Sequence, residues 1–414
     1  MYKQALKYIG WFLLSLFIIL NLVLGWYGVS SVFLTAIVYA LSWKLGFMLL
    51  GRLFNNGEYR KKITLLFTSL LISLFIGELA LKYVFKINLS RQEMNGSFFY
   101  FFPYGKPELE NLFRRLGHKE PDLRLSNYVP YWEEMNECDE FKYWHRYNSL
   151  GLRGKDPLID TAIINIVGLG DSYTEGVGTP EDSTWLQLTE NNLNQTRHGQ
   201  LKKIQCINGG IMGNEPIAEY IILKELLLSY KPRVVILAVN CTDISDIVEL
   251  GGWERFNNNH RKIPWYAYIY QFSFITRAVV HIVNPVNWLF LTAEEYREAE
   301  KDAFQIIERC IIDDYLKLSQ EQNFKLIVVL HPLLSELEQN NFLLQPLAAK
   351  LQKLPEIKTI NLFEAFKKTN QQSNIEYKSL YWLRDGHNNS RGYQLWADHT
   401  YPVVDLMLRE HPTI

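Results

Sequence analysis

Three apolar runs in the first 85 residues restrict this chain more than any other feature. Residues 8–27 carry no charge, residues 29–50 carry only Lys44, and residues 63–85 carry Glu78 and Lys82 near the far end. A helix needs about 20 mostly apolar residues to cross a bilayer, and each run reaches that length. Three transmembrane helices are therefore expected within residues 1–90. The first run follows Lys3 and Lys7, as in a signal peptide, but no Ala-x-Ala-like site comes after it, so it reads as a retained helix. Basic residues set the orientation. Lys3 and Lys7 precede the first run, Arg52, Arg60, Lys61 and Lys62 follow the second, and the loop between them is uncharged. This predicts a multi-pass protein of the cell membrane with a cytoplasmic N-terminus and an extracytoplasmic domain after residue 90. Glu78 lies four residues before Lys82, the spacing of an attractive helix pair.

The 414 residues leave room for one catalytic domain of ordinary size beyond the membrane part. A net charge of −1 offers no electrostatic case for nucleic acid as a partner. Cys138, Cys206, Cys241 and Cys310 all fall in the external part, and no Cys-x-x-Cys pair is among them. An oxidising compartment permits disulfides. Cys206 and Cys241, placed in or just after strands expected to be neighbours, are the favoured pair, with free buried thiols as the alternative.

Residues 91–150 form an aromatic-rich connecting region without a clear period, expected to pack on the main domain. From residue 160 onward, apolar β-branched runs alternate with helical patterns. Strands are expected at 163–169, 203–208, 233–239, 325–330 and 358–362. Helices are expected at 183–195, with Asp182 or Ser183 as N-cap, and at 215–230, 294–321 and 392–408. Apolar strands separated by helices predict a parallel sheet covered on both faces. The domain is placed at 151–414, with a long insertion at about 250–292. Within the insertion, 272–283 reads as a helix packing on the core, and Trp253 to Tyr270 as a wall of a substrate groove.

Function in such sheets gathers at the C-terminal strand ends. Gly170-Asp171-Ser172 follows the first strand, Asn208 to Asn214 the second, and Asn240-Cys241-Thr242-Asp243 the third. Asp385-Gly386-His387-Asn388 precedes the last helix. A serine hydroxyl needs a base to become a nucleophile, and a carboxylate to orient that base. Asp385 and His387 are two apart, so an extended stretch would turn both side chains the same way. Asp171 is expected to order the turn. His331, at the end of the fourth strand, is expected to be structural, because one base suffices. The spacings imply no metal and no cofactor.

The run Gly-Asp-Ser-Tyr-Thr-Glu-Gly at 170–176 resembles the first block of the SGNH, or GDSL-type, serine hydrolase superfamily. Asn208 to Gly213 resembles its second block, Asp385 to Asn388 its last. Tyr147 to Gly154 resembles the lead-in of membrane-anchored, cell-envelope members. The resemblance covers about residues 148–405 and implies a flavodoxin-like three-layer α/β/α sandwich. It implies Ser172 as nucleophile, His387 as base and Asp385 as orienter, with the N–H groups of Ser172 and Gly213 in the oxyanion hole. The third block departs. Thr242-Asp243 stands where Asn-Asp is usual, and either Asn240 or Thr242 is left to supply the third donor.

These residues predict a membrane-anchored extracytoplasmic serine esterase. Its substrate would be an O-acyl ester, in the first place O-acetyl, of a cell-envelope glycan or lipid. Two alternatives use the same residues. One is an O-acyltransferase acting on a polysaccharide, which would need a partner membrane protein as acyl donor. The other is a catalytically degenerate glycan-binding protein.

Overall fold

The computed structural model describes residues 40–41, 43–44, 57–85, 130–197, 202–253, 273–283 and 292–410. They fall into two compact units. The smaller contains the helices Gly57–Tyr83 and Phe274–Val283. Over Gly57–Leu81 the first is long and apolar enough to cross a membrane, and Leu65, Leu66, Leu70, Ile72 and Ile76 stand exposed along it. It overlaps the third expected span, residues 63–85. The other two, apart from four positions between 40 and 44, lie outside the described residues.

Glu78 is buried within this unit. Its carboxylate accepts Ser273 Oγ at 2.5 Å, Phe274 N at 2.5 Å and Ile275 N at 3.2 Å. The first amides of a helix have no acceptor of their own, so Glu78 caps the helix Phe274–Val283 from a distant part of the chain. The Lys82 side chain, its expected helix partner, lies outside the described residues. The helix expected at 272–283 is present, but it belongs to the unit of the apolar helix rather than adding to a sheet core. Residues 254–270, most of the expected groove wall, lie outside the described residues.

Among the described residues, the first strands of the larger unit form an antiparallel hairpin of β1 (Glu133–Glu137) and β2 (Lys142–Arg146). Alternation along β2 turns Tyr143 and His145 inward, with Tyr147 just beyond, while Trp144 stays exposed. An outward Trp cancels the apolar-polar contrast that announces a half-buried strand, which is why this stretch shows no period. Five parallel strands follow: β3 (Ile163–Gly170), β4 (Lys203–Gly210), β5 (Val234–Val239), β6 (Lys325–Leu330) and β7 (Ile357–Asn361). Their order is β4-β3-β5-β6-β7, the flavodoxin-like arrangement. All of β5 is buried, as a strand covered on both faces must be.

The local expectations shift in instructive ways. Glu181–Ser183 forms a short turn of 3-10 helix, so the cap passes to Thr184, whose side chain accepts from Gln187 N. The expected helix 215–230 splits into Pro216–Glu225 and a 3-10 turn, Leu227–Tyr230. The long charged helix is interrupted by a π-helical turn at Cys310–Tyr315. Helices at Thr242–Leu250, Leu334–Gln339, Gln345–Leu351 and Leu362–Ser373 were not announced by the patterns. All four cysteines are free. Cys206 lies on β4 and Cys241 just beyond β5, and β3 runs between those strands. Two strand spacings put their backbones about 10 Å apart, beyond the reach of a disulfide.

The helices Trp185–Thr196 and Ser390–Glu410 pack together through stacked Trp185 and Trp396 rings, centroids 5.0 Å apart. Beside them Arg197 Nε lies 2.7 Å from Asp405 Oδ1, and Arg409 Nη2 lies 2.6 Å from Asp405 Oδ2. Burial raises the Asp405 pKa, but the two guanidinium groups outweigh it and hold the carboxyl below its ordinary value. A group depressed on folding stabilises fully above its unfolded pKa, about 4, and loses that contribution as pH falls through the folded value. Asp405→Asn should therefore cost on the order of 2 kcal/mol at neutral pH. In urea melts the gap to the parent should close only below about pH 4.

Candidate active site

The nucleophile candidate owes its place to a strand that ends where a helix must start. β3 stops at Gly170, and Ser172–Glu175 is a single helical turn. Asp171 is its N-cap, and Asp171 Oδ1 accepts Tyr173 N at 2.9 Å. The other carboxylate oxygen accepts Asn240 Nδ2 at 2.8 Å. Burial pushes the Asp171 carboxyl above its ordinary pKa, against the opposing bonds from Asn240 and Tyr173. The expectation that Asp171 orders the turn describes this geometry.

His387 Nε2 lies 2.7 Å from Ser172 Oγ, and His387 Nδ1 lies 2.6 Å from Asp385 Oδ1. The three residues thus form one hydrogen-bonded series. The stretch that carries Asp385 and His387 is a turn, not the extended segment expected. Gly386 sits at φ +91°, where a side chain would be strained. Gly386 N donates to Trp382 O, and Trp382 N to His387 O, each at 2.8 Å. The pair meets because this turn folds back on itself. Tyr173 braces it, with its hydroxyl donating to Gly386 O at 3.0 Å and its ring 4.7 Å from that of His387.

His331 stands behind Tyr173, its ring 4.4 Å from the tyrosine and 4.6 Å from Trp396. Burial pushes its pKa down to about 3, so the ring stays neutral at physiological pH. Its Nδ1 lies 3.4 Å from Pro332 O.

The end of β4 and the loop after it are tied to the turn at Ser172–Glu175 at several points. Ile211 N donates to Gly170 O at 3.0 Å, Met212 N to Glu175 Oε2 at 2.6 Å, and Asn208 Nδ2 to Thr174 O at 3.0 Å. Gly213 has φ +73°. Around the third block, Thr242 N and Thr242 Oγ1 each donate to Asn240 Oδ1 at 2.7 Å. The single hydroxyl proton of Thr242 is therefore committed, whereas the Asn240 amide carries a second N–H besides the one given to Asp171. Asp243 Oδ2 accepts Asn240 N at 2.7 Å. Asp243 and Glu219, both buried, are raised well above ordinary carboxyl values, first by burial and then by neighbouring carboxylates.

Several supporting residues escape sequence reasoning. The Arg153 guanidinium donates to the carbonyls of Glu175, Gly176 and Thr179 at 2.9, 2.5 and 2.5 Å, gripping the chain beyond Ser172. His145 Nε2 lies 3.1 Å from Glu175 Oε1, both side chains buried. Arg153 lies in the lead-in run that carried part of the resemblance. For His145 no signal existed, since its partner is 30 positions away in another element. Among the described residues, no three His, Cys, Asp or Glu side chains gather as a metal site.

Gly210 separates crowding from strain. A Cβ there would meet Glu175 N at 2.2 Å and Thr174 C at 2.5 Å, whereas one on Gly213 would meet nothing within 4 Å. Gly210→Ala should cost about 2 kcal/mol or more and abolish labelling of Ser172 by a fluorophosphonate. Gly213→Ala should cost only about 1 kcal/mol, for its φ. Denaturant melts and labelling on both variants check the contrast.

No family model matches the chain, and no curated protein does. Among solved structures, the chain is similar to a two-domain esterase (CEX) active on acetylated mannans, at 14% identity and TM-score 0.38. That match covers 59% of this chain and 50% of the esterase, about half its length. The chain is also similar to the acetyl xylan esterase AlAXEase, at 19% identity and TM-score 0.37, over 58% of this chain and 100% of that one. A member of the lipolytic protein G-D-S-L family from Veillonella parvula DSM 2008 matches at 14% identity and TM-score 0.32, over 58% and 97%.

Proposed function

We propose that this chain is a membrane-anchored, extracytoplasmic serine ester hydrolase of the SGNH type. Its substrate would be an O-acyl ester, in the first place O-acetyl, of a cell-envelope glycan or lipid. The observation that carries the reading is the hydrogen-bonded series from Asp385 Oδ1 through both nitrogens of His387 to Ser172 Oγ. Each member has the chemistry its place requires: a hydroxyl, a base within reach of its proton, and a carboxylate that sets the tautomer of the base. The apolar helix over Gly57–Leu81 supports the anchoring. The basic residues at both cytoplasmic-side positions support the orientation.

In this mechanism Ser172 Oγ attacks the ester carbonyl while His387 Nε2 takes the hydroxyl proton. The carbonyl π electrons move onto oxygen, and the N–H groups of Ser172 and Gly213 receive that charge. Of the two candidates in the third block, Asn240 is assigned the remaining donor, because the Thr242 hydroxyl proton is held by Asn240 Oδ1. The imidazolium, stabilised by Asp385, returns its proton to the departing alkoxide as the ester C–O bond breaks. Water then attacks the acyl-serine with His387 again as base, releasing the acid and restoring Ser172.

The test is acyl release from p-nitrophenyl acetate by the full chain in nanodiscs, compared with Ser172→Ala and His387→Ala. Each substitution should lower kcat/KM by roughly 10³-fold or more. Rates equal to those of the parent would remove the reading. If an added sugar acceptor took up the acyl group at the expense of free acetate, the reaction would be acyl transfer instead.

A further inference from the structure

The tip of the hairpin touches the turn that carries Asp385. Glu140 lies between β1 and β2, and its carboxylate accepts three successive backbone amides. Leu383 N donates to Oε1, and Arg384 N and Asp385 N donate to Oε2, each at 2.9 Å. Beside it, Asp139 Oδ2 lies 2.6 Å from Arg384 Nη1, and the Phe141 ring stands 5.8 Å from that of Trp382. Further along β2, Tyr143 Oη accepts Gly178 N at 3.1 Å. The hairpin thus grips both the loop after Ser172 and the loop before His387.

Three adjacent amides pointing at one carboxylate leave the segment 383–385 little freedom to turn. Bonds from N–H to an ionised acceptor are roughly twice as strong as neutral ones. The segment is otherwise exposed to solvent. Asp385 depends on that backbone for its aim at His387 Nδ1, and misplacement by about 1 Å can cost 10²-fold in rate. We propose that Glu140 is a positioning residue for the reaction, fixing the backbone of Asp385 through its three amides. The inference rests on the proposed function for the meaning of Asp385, and on its own geometry for the holding of the loop.

The test uses the full chain in nanodiscs with Glu140→Gln, Glu140→Asp and Glu140→Ala. Rates are normalised to Ser172 sites titrated with a fluorophosphonate, so that loss of folded protein does not count. Gln keeps one acceptor oxygen, while Asp withdraws both by one methylene. The expected order of kcat is parent, then Gln, then Asp and Ala together. The Ala variant should fall between about 10- and 100-fold, with KM within about twofold. Amide hydrogen exchange at residues 383–385 should quicken in the same order. An Ala variant with the parent's kcat, or with unchanged exchange at 383–385, would overturn the inference. So would a loss that Gln does not partly restore. Absence of Ser172-dependent turnover in the parent would sink the proposed function instead, and the exchange measurement would then decide whether Glu140 holds the loop.

Discussion

Asp171 sits where β3 and β5 end side by side, and its buried carboxylate joins them. One oxygen takes the amide of Tyr173 in the turn that opens at Ser172, the other the side chain of Asn240 beyond β5. In a sheet of order β4-β3-β5-β6-β7 the chain leaves β3 toward β4 on one side and returns to β5 on the other. A crevice opens between those diverging connections. Asp171 spans it, and Ser172 is the next residue. A buried carboxylate is tolerable only when its oxygens are satisfied, so this one bond pattern sets both the turn at Ser172 and the orientation of Asn240.

The turn at Ser172–Glu175 is then enclosed from three directions. β4 brings Gly210 against the backbone of Thr174 and Glu175, at a distance no side chain would allow. Arg153 holds the carbonyls beyond the turn, and Glu175 extends to Met212 N while meeting His145. These bonds join the turn at Ser172 to the loop that carries Gly213. Hydrogen-bond donors for a developing oxyanion are effective when they need no reorganisation, so in the proposed mechanism these ties would hold the two donors in place.

The smaller unit repeats the theme with a different purpose. Glu78, on a helix apolar enough for a membrane, is buried and satisfied by the first amides of the helix Phe274–Val283. A carboxylate in an apolar helix usually points to function. Here its three bonds explain it as a cap, and they tie the insertion of the sheet domain back to the apolar helix.

Much of this architecture was legible in the chain. The strand cores around 234–239 and 325–330 are continuous apolar runs, and the apolar helix at 63–85 announced itself by length. The placement of Ser172, Gly213 and His387 after strands or before the last helix followed from block order. The tertiary structure alone decided the rest. Strand order put β3 between Cys206 and Cys241, because crossovers, not sequence neighbours, choose which strands pair. The left-handed Gly386 brought Asp385 onto His387 by a turn, where side-chain alternation suggested an extended segment. Glu140 met 383–385, and Glu78 met 273–275, across separations that no local period can encode. Periodicity reports which face of an element is buried, whereas these contacts depend on where two distant elements arrive.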